Sequence, residues 1–127
     1  MKSVYFDNAA TTAPRPEVIE AMHDALSRQF GNPSSTHAFG RSSKALIEGA
    51  RKEIAKTLSC KPAEIIFTSG GTEADNCIIR SCVRDLEVKR IITSKIEHHA
   101  VLHAVESMSE EYGVSIHYVD LDSSGSV

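Results

Sequence analysis

Residues 65–93 of the chain read IIFTSGGTEADNCIIRSCVRDLEVKRIIT, and their pattern indicates the fold class. The β-branched run Ile65-Ile66-Phe67 predicts a buried strand, and a helix is predicted from Thr72 to about Leu86. A second strand is predicted over Arg90-Ile91-Ile92-Thr93. Strand, helix and strand joined by short links are typical of a parallel crossover unit. The residues predicted to face the core from this helix are Ile78, Cys82 and Leu86.

The same alternation continues toward the C-terminus. A helix is predicted from His98 to about Tyr112, ended by Gly113, with a third strand over residues 114–118. The inward residues of this helix are predicted to be Val101, Leu102, Val105 and Met108. The pattern predicts an α/β fold with a parallel-rich sheet and crossover helices. A sheet of three parallel strands would have too few helices here to cover both of its faces well, so we expect a truncated domain.

Two further helices are predicted before this region. One begins near Pro16 and ends near Arg28, with Val18, Met22, Ala25 and Leu26 on one face. The other runs from about Gly40 to Leu58, with Leu46, Ala50, Ile54 and Leu58 along one side. The loop between them, residues 30–37, is rich in turn-forming residues.

Composition excludes several classes of protein. The chain has 127 residues, 14 Lys+Arg and 17 Asp+Glu, and its net charge of −3 argues against nucleic acid as the main partner. Its apolar runs are too short to cross a membrane, and Lys2 and Asp7 interrupt any signal-peptide pattern. Three cysteines at no zinc spacing predict reduced, structural thiols in a cytoplasmic protein.

The loop Ser69-Gly70-Gly71-Thr72-Glu73 lies between a predicted strand and a predicted helix. Ligands of open α/β sheets bind where helix N-termini present free N–H groups, and glycine lets the backbone approach an anion closely. A phosphate therefore fits here, although the same loop is also an ordinary turn with Thr72 or Ser69 as the N-cap. Glu73 would repel a phosphate, so we expect its side chain to point away.

Histidines cluster after the second predicted strand. His98 is placed to touch a ligand and move protons, although a histidine at a helix start is also a common cap. His99 and His103 have the spacing of a zinc pair, but no third ligand is visible and no metal site is predicted. Asn8 and Asn32 lie in small-residue loops, where they could bind a carboxylate or simply form turns.

Four motifs in register resemble the opening of a cysteine desulfurase of the NifS/IscS type, from about residue 4 to the end of the chain. They are Tyr5-Phe6-Asp7-Asn8-Ala9-Ala10-Thr11-Thr12, Phe30-Gly31-Asn32-Pro33-Ser34-Ser35 with His37 and Gly40-Arg41, Phe67-Thr68-Ser69-Gly70-Gly71-Thr72-Glu73 with Asn76, and Glu97-His98 with Ala100-Val101-Leu102. Gly71 stands where many relatives have alanine, which leaves the backbone N–H available.

The resemblance implies the N-terminal part of a pyridoxal-phosphate-dependent transferase large domain, of the aspartate aminotransferase-like fold type I and the class V group. Residues 1–15 would form an N-terminal arm and 16–127 a truncated cofactor-binding domain. Gly71 and Thr72 match the pair that holds the cofactor phosphate. His98 matches the catalytic histidine that stacks on the pyridine ring and assists proton transfer. Asn8 and Asn32 match positions near the substrate or the neighbouring subunit.

Such enzymes take sulfur from L-cysteine for iron–sulfur or thio-cofactor assembly, leaving alanine and an enzyme persulfide. The resemblance therefore implies a sulfur-acceptor or scaffold protein as a partner, and a homodimer. Lys95 does not match the Schiff-base lysine and no cysteine here matches the persulfide cysteine, so we expect the chain alone to be inactive. The alternatives are another class V enzyme acting on a different amino acid, and a non-catalytic truncated product.

Overall fold

The computed structural model describes residues 3–127, which form two compact units. The N-terminal unit ends at Ile65 and the C-terminal unit begins at Ile66. Met1 and Lys2, the first residues of the predicted arm and of the stretch tested as a signal peptide, lie outside the described residues. Within residues 3–127, no helix is both long and apolar enough to cross a membrane.

The N-terminal unit contains two helices and a 3₁₀ turn. Helix α1 spans Pro16–Arg28, helix α2 spans Ala38–Thr57, and the 3₁₀ turn spans Pro62–Glu64. Pro16 occupies the first turn of α1, where its missing N–H costs nothing. The prediction of both helices from their apolar periodicity is confirmed, with α1 beginning and ending at the expected residues.

Two glycines shape the loop that joins α1 to α2. A Cβ on Gly31 would lie 2.4 Å from the backbone carbonyl of Phe39, and one on Gly40 would lie 2.5 Å from the carbonyl oxygens of Asn32 and Ser35. Since real Cβ atoms do not approach backbone this closely, only glycine allows the loop to fold against the start of α2.

The C-terminal unit is an α/β layer. Its elements are α3 (Gly71–Arg84), β1 (Arg90–Thr93), α4 (His99–Tyr112) and β2 (Ser115–Tyr118). Strands β1 and β2 pair in parallel, with Arg90 opposite Ser115 and Thr93 opposite Tyr118, so α4 is the crossover helix. Gly113 ends α4 in the left-handed conformation, with φ of 66°, as predicted.

The core of this unit lies between α3, α4 and one face of the sheet. Val83, Met108 and Val114 form a buried cluster, against which Ile79 and Ile91 pack. Val105 and Met108 are fully buried and Val101 and Leu102 are half-buried, which confirms the predicted inward face of α4.

Two predictions about this region are wrong. Residues 65–67 form no strand, and Ile66 is 73% exposed, because no other strand within residues 3–127 pairs with this segment. The predicted inward face of α3 is also rotated: Ile78 is 63% exposed and Val83 is buried instead. The sheet of the described chain therefore has two strands.

Candidate functional site

The first turn of α3 offers unpaired backbone donors. Gly70 is the N-cap, with an extended backbone (φ 166°, ψ −179°) and no side-chain cap, so neither Thr72 nor Ser69 caps the helix as the simpler alternative supposed. Within residues 3–127, the N–H groups of Gly71, Thr72 and Glu73 have no acceptor. These donors point out of the helix at the positive end of its dipole.

Glu73 turns back toward the loop that precedes α3. Its Oε2 accepts a hydrogen bond of 2.6 Å from the N–H of Ser69, and this backbone bond holds the pKa of the exposed Glu73 carboxyl below its ordinary value. The carboxylate is thus held at the loop by the Ser69 N–H, and the expectation that it points away from a bound phosphate stays a prediction. Its bond to Ser69 leaves the three N–H groups at the helix start unused.

Space in front of this helix start is open. A Cβ on Gly70 or on Gly71 would meet no atom of residues 3–127 within 4 Å, and Thr72 is exposed. An exposed hydroxyl and free N–H groups at a helix N-terminus are the donor set that binds a phosphate monoester. The residues present therefore fit the phosphate of a bound cofactor.

His98 is the N-cap of α4, as the simpler alternative for this residue supposed. Its Nδ1 accepts a hydrogen bond of 3.1 Å from the N–H of Ala100, which places the proton of the neutral ring on Nε2. The ring is exposed. Capping and ligand contact are thus compatible, because they use different parts of the same imidazole.

The neighbouring histidines do not complete a metal site. The His99 and His103 rings lie 5.5 Å apart on α4. In the described part of the chain, no group of three or more histidine, cysteine, aspartate or glutamate side chains could hold a metal ion.

Asn76 brings the start of α3 and the start of α4 together. Its Nδ2 donates to the carbonyl of Thr72 at 3.0 Å and to the carbonyl of Ala100 at 3.4 Å. The predicted phosphate-binding residues and His98 are therefore joined through one side chain. In the sequence, Asn76 stands out only as part of a motif; its position four residues after Thr72 is the signal that points to its role.

Asn8 and Asn32 belong to the N-terminal unit, where Asn32 Oδ1 accepts from the N–H of Ser34 at 2.9 Å, as in an ordinary turn. Lys95 places its Nζ 5.8 Å from the centre of the Tyr118 ring. Cys77 is exposed rather than packed, while Cys60 and Cys82 are half-buried, and all three are free thiols.

Comparisons with known proteins bear on this arrangement. The cysteine desulfurase IscS of Dictyoglomus turgidum is 50% identical over 128 residues, covering 99% of this chain and 32% of its own length. The IscS of Methanosarcina thermophila is 48% identical, covering 99% of this chain and 31% of its own length. The chain therefore spans about a third of the length of the curated relatives it matches.

Solved structures are also similar to this chain over most of its length and over about a third of their own. A NifS-like protein superposes with a TM-score of 0.86 and 39% identity, over 93% of this chain and 33% of that one. SspA in complex with cysteine superposes with a TM-score of 0.84 and 36% identity, over 94% of this chain and 35% of that one. The predicted fold, the N-terminal part of a fold-type-I large domain, is confirmed, as is the resemblance to NifS/IscS-type enzymes.

The family assignment follows from the extent of the match as well as from its strength. The model of the aminotransferase class-V family, whose members in general depend on pyridoxal phosphate, matches residues 4–127. Since that range leaves out only the first three residues, the chain belongs to the aminotransferase class-V family.

Proposed function

We propose that the chain is the N-terminal part of a pyridoxal-phosphate-dependent cysteine desulfurase, which removes sulfur from L-cysteine and leaves alanine and an enzyme persulfide. The relatives named cysteine desulfurase, at 50% and 48% identity across 99% of the chain, support this activity. The structure bound to cysteine, SspA, supports the choice of substrate.

One observation carries the proposal: the N–H groups of Gly71, Thr72 and Glu73 are free at the start of α3, beside the helix that His98 begins. In the proposed site, the Gly71 and Thr72 N–H groups and the Thr72 hydroxyl bind the cofactor phosphate. These bonds anchor the cofactor phosphate at the positive end of the α3 dipole, so the site needs no positively charged side chain to hold it.

His98 then supplies a flat imidazole against the cofactor ring. Its Nδ1 is held by the Ala100 N–H, so the proton that the neutral ring can present lies on Nε2. When bound, pyridoxal phosphate supplies the electron sink for cleaving bonds at the substrate α-carbon and beyond. The role of His98 is to orient the ring and to hold a proton at Nε2 near the reacting atoms.

The wider assignment follows the same resemblance. We propose residues 1–15 as an N-terminal arm and 16–127 as the start of the cofactor-binding large domain. A sulfur-acceptor or scaffold protein, a homodimer and a cytoplasmic location complete the proposal. Size-exclusion chromatography with light scattering of the protein encoded by the complete reading frame tests the homodimer directly.

Turnover of L-cysteine tests the activity. The protein encoded by the complete reading frame that contains this chain is incubated with pyridoxal phosphate, L-cysteine and a dithiol reductant, and alanine and sulfide are quantified. We expect equal amounts of both products, a loss of at least about 100-fold in kcat for His98→Asn, and no alanine from the 127-residue chain alone. Alanine production that does not depend on His98, or turnover only of a different amino acid, would contradict the proposal.

A further inference from the structure

A polar network joins α3 to α4 at two levels. Near the start of both helices, Asn76 Nδ2 donates to the carbonyls of Thr72 and Ala100, at 3.0 and 3.4 Å. Further along, Arg80 donates to Ser107 Oγ at 3.3 Å. The residue later in α3, Arg80, contacts the residue later in α4, Ser107. The two helices therefore lie side by side with their N-termini at the same end of the unit.

The orientation of the Asn76 amide is fixed by its neighbours. Arg80 Nε donates to Asn76 Oδ1 at 3.4 Å, which leaves both Nδ2 hydrogens for the two carbonyls. Both amide hydrogens and the carbonyl oxygen of this half-buried side chain therefore take part in hydrogen bonds. A terminal amide is the side chain that can donate twice and accept once at this position, whereas aspartate lacks the donors.

The bonds form a continuous chain from the phosphate-binding turn to the imidazole. The Thr72 carbonyl accepts from Asn76, Asn76 also donates to the Ala100 carbonyl, and the Ala100 N–H donates to His98 Nδ1. Ala100 is buried, so its peptide groups have little freedom to find other partners. The bond that sets the His98 tautomer is thus made by a residue that Asn76 holds.

We propose that Asn76 is a positioning residue: it fixes the first turn of α4 relative to the first turn of α3, and so sets where His98 stands relative to the phosphate-binding N–H groups of Gly71 and Thr72. The inference rests on the proposed function in taking these residues as the cofactor site. Asn76 contacts neither the phosphate donors nor the imidazole directly and acts through Thr72 and Ala100.

Nuclear magnetic resonance of the 127-residue chain tests the link without any cofactor. In the unaltered protein we expect nuclear Overhauser contacts from the Asn76 side-chain amide protons to Ala100, and ¹⁵N shifts of the His98 ring that report a single neutral tautomer protonated on Nε2. In Asn76→Ala and in the shape-conserving Asn76→Asp, we expect those shifts to move toward the average of two tautomers. Absence of the Asn76–Ala100 contacts in the unaltered protein would overturn the proposal whether or not the variants fold.

Ser107→Ala is the matched control, because it breaks the distal link between the same two helices and leaves Asn76 intact. In the protein encoded by the complete reading frame, we expect Asn76→Ala to weaken pyridoxal-phosphate affinity by about tenfold, the effect of losing one well-placed hydrogen bond. Ser107→Ala should stay within about twofold of the unaltered protein. Equal losses in the two variants, or unchanged His98 shifts in Asn76→Ala, would show that Asn76 only packs the helices together.

The two proposals can fail separately. A locked His98 tautomer that depends on Asn76, in a protein that releases no alanine from L-cysteine, supports the positioning role and contradicts the desulfurase. Alanine production with His98 shifts that ignore Asn76 does the reverse.

Discussion

The two units of the chain contain helices of similar apolar character but differ in how much of that surface they bury. In the C-terminal unit, α4 buries four residues and joins a closed cluster around Met108. In the N-terminal unit, α1 buries none, and α2 buries only Gly40, Ser43 and Ala55. An apolar stripe therefore shows which face of a helix can be buried. Whether that face is buried depends on whether another element of the described chain packs against it.

The same contrast extends to the space between elements. Apolar residues of α1, of α2 and of the loop between them, among them Leu26, Phe30 and Leu46, line an open groove of about 510 Å³. The Ser43 hydroxyl beside it is buried and has no hydrogen-bond partner among residues 3–127. The proposed phosphate site and His98 lie in the other unit, which contains the buried cluster around Met108, so the candidate chemistry rests on the better-packed part of the chain.

Truncating one methionine in each unit tests the difference in burial between the units, and we expect it to change the free energy of unfolding more than the variants that follow. Met108 is 0% exposed in α4, whereas Met22 is 56% exposed in α1. We expect Met108→Ala to lower the free energy of unfolding by about 2–5 kcal/mol, and Met22→Ala to change it by less than about 0.5 kcal/mol. Urea denaturation followed by circular dichroism measures both, and equal losses would mean that the face of α1 is covered in solution.

Two glycines of α2 test whether the N-terminal unit has a region of close packing. A Cβ on Gly40 would lie 2.5 Å from two backbone oxygens, whereas one on Gly49 would meet nothing within 4 Å. We expect Gly40→Ala to destabilise the unit by about 1–3 kcal/mol, and Gly49→Ala to stabilise it by about 0.5–1 kcal/mol. Thermal unfolding of the two variants gives the comparison. If Gly40→Ala were as stable as Gly49→Ala, the loop of residues 29–37 would not fold against the start of α2 as described.

The two histidine caps offer a third comparison. His98 Nδ1 accepts from the Ala100 N–H at 3.1 Å, and His37 Nδ1 accepts from the Gly40 N–H at the longer distance of 3.4 Å. Replacing His98 by alanine should cost about 1 kcal/mol of unfolding free energy, and replacing His37 should cost about 0.5 kcal/mol.

Asparagine at position 98 is the matched control, since it is itself a good N-cap and should restore stability to within about 0.3 kcal/mol. Chemical denaturation separates these values. A His98→Asn variant as unstable as His98→Ala would show that the imidazole packs against the fold rather than capping it.

The smallest expected effect concerns pH. The Ser69 N–H holds the pKa of the Glu73 carboxyl below its ordinary value. The bond between them therefore contributes fully to stability only above the ordinary pKa of a glutamate, about 4.3. It is lost as the pH falls through the lowered pKa of the folded state. Glu73→Gln, which keeps a neutral acceptor for Ser69, should show a shallower loss of stability between about pH 5 and pH 3. Parallel acid titrations by circular dichroism measure this, and identical curves would place the Glu73 carboxylate away from Ser69.

The sequence predicted local structure well where local chemistry decides it. Pro16 predicts the start of α1, and Gly113 predicts the left-handed end of α4. The prediction of a strand at residues 65–67 failed, because a strand forms only with a hydrogen-bonded partner and periodicity does not show whether one is present. The prediction failed on α3 for a related reason: Ile78 and Leu86 have helical spacing, but packing against α4 and β1 buries Val83 and partly buries Ile79 instead.

The candidate site shows the same division. The glycine pair and Thr72 could be chosen from sequence because a phosphate-binding helix start has a local signature, and His98 because of its place after a strand. The part played by Asn76 could not, since its bond to Ala100 joins residues that are 24 positions apart. The tautomer of His98 likewise depends on a hydrogen bond that only the folded helix start provides.

We propose that the N–H groups at the start of α3, which have no acceptor within residues 3–127, bind the phosphate of pyridoxal phosphate. Gly71→Pro tests it most directly, because proline is well accepted at a first helical position yet removes the N–H, while Gly71→Ala retains it. In the protein encoded by the complete reading frame, binding of pyridoxal phosphate and of pyridoxal, which lacks the phosphate, is compared by fluorescence titration. We expect Gly71→Pro to lose about tenfold or more in affinity for pyridoxal phosphate alone, and Gly71→Ala to stay within about twofold. Equal affinity of both variants for pyridoxal phosphate, or an equal loss for both ligands in Gly71→Pro, would contradict the account.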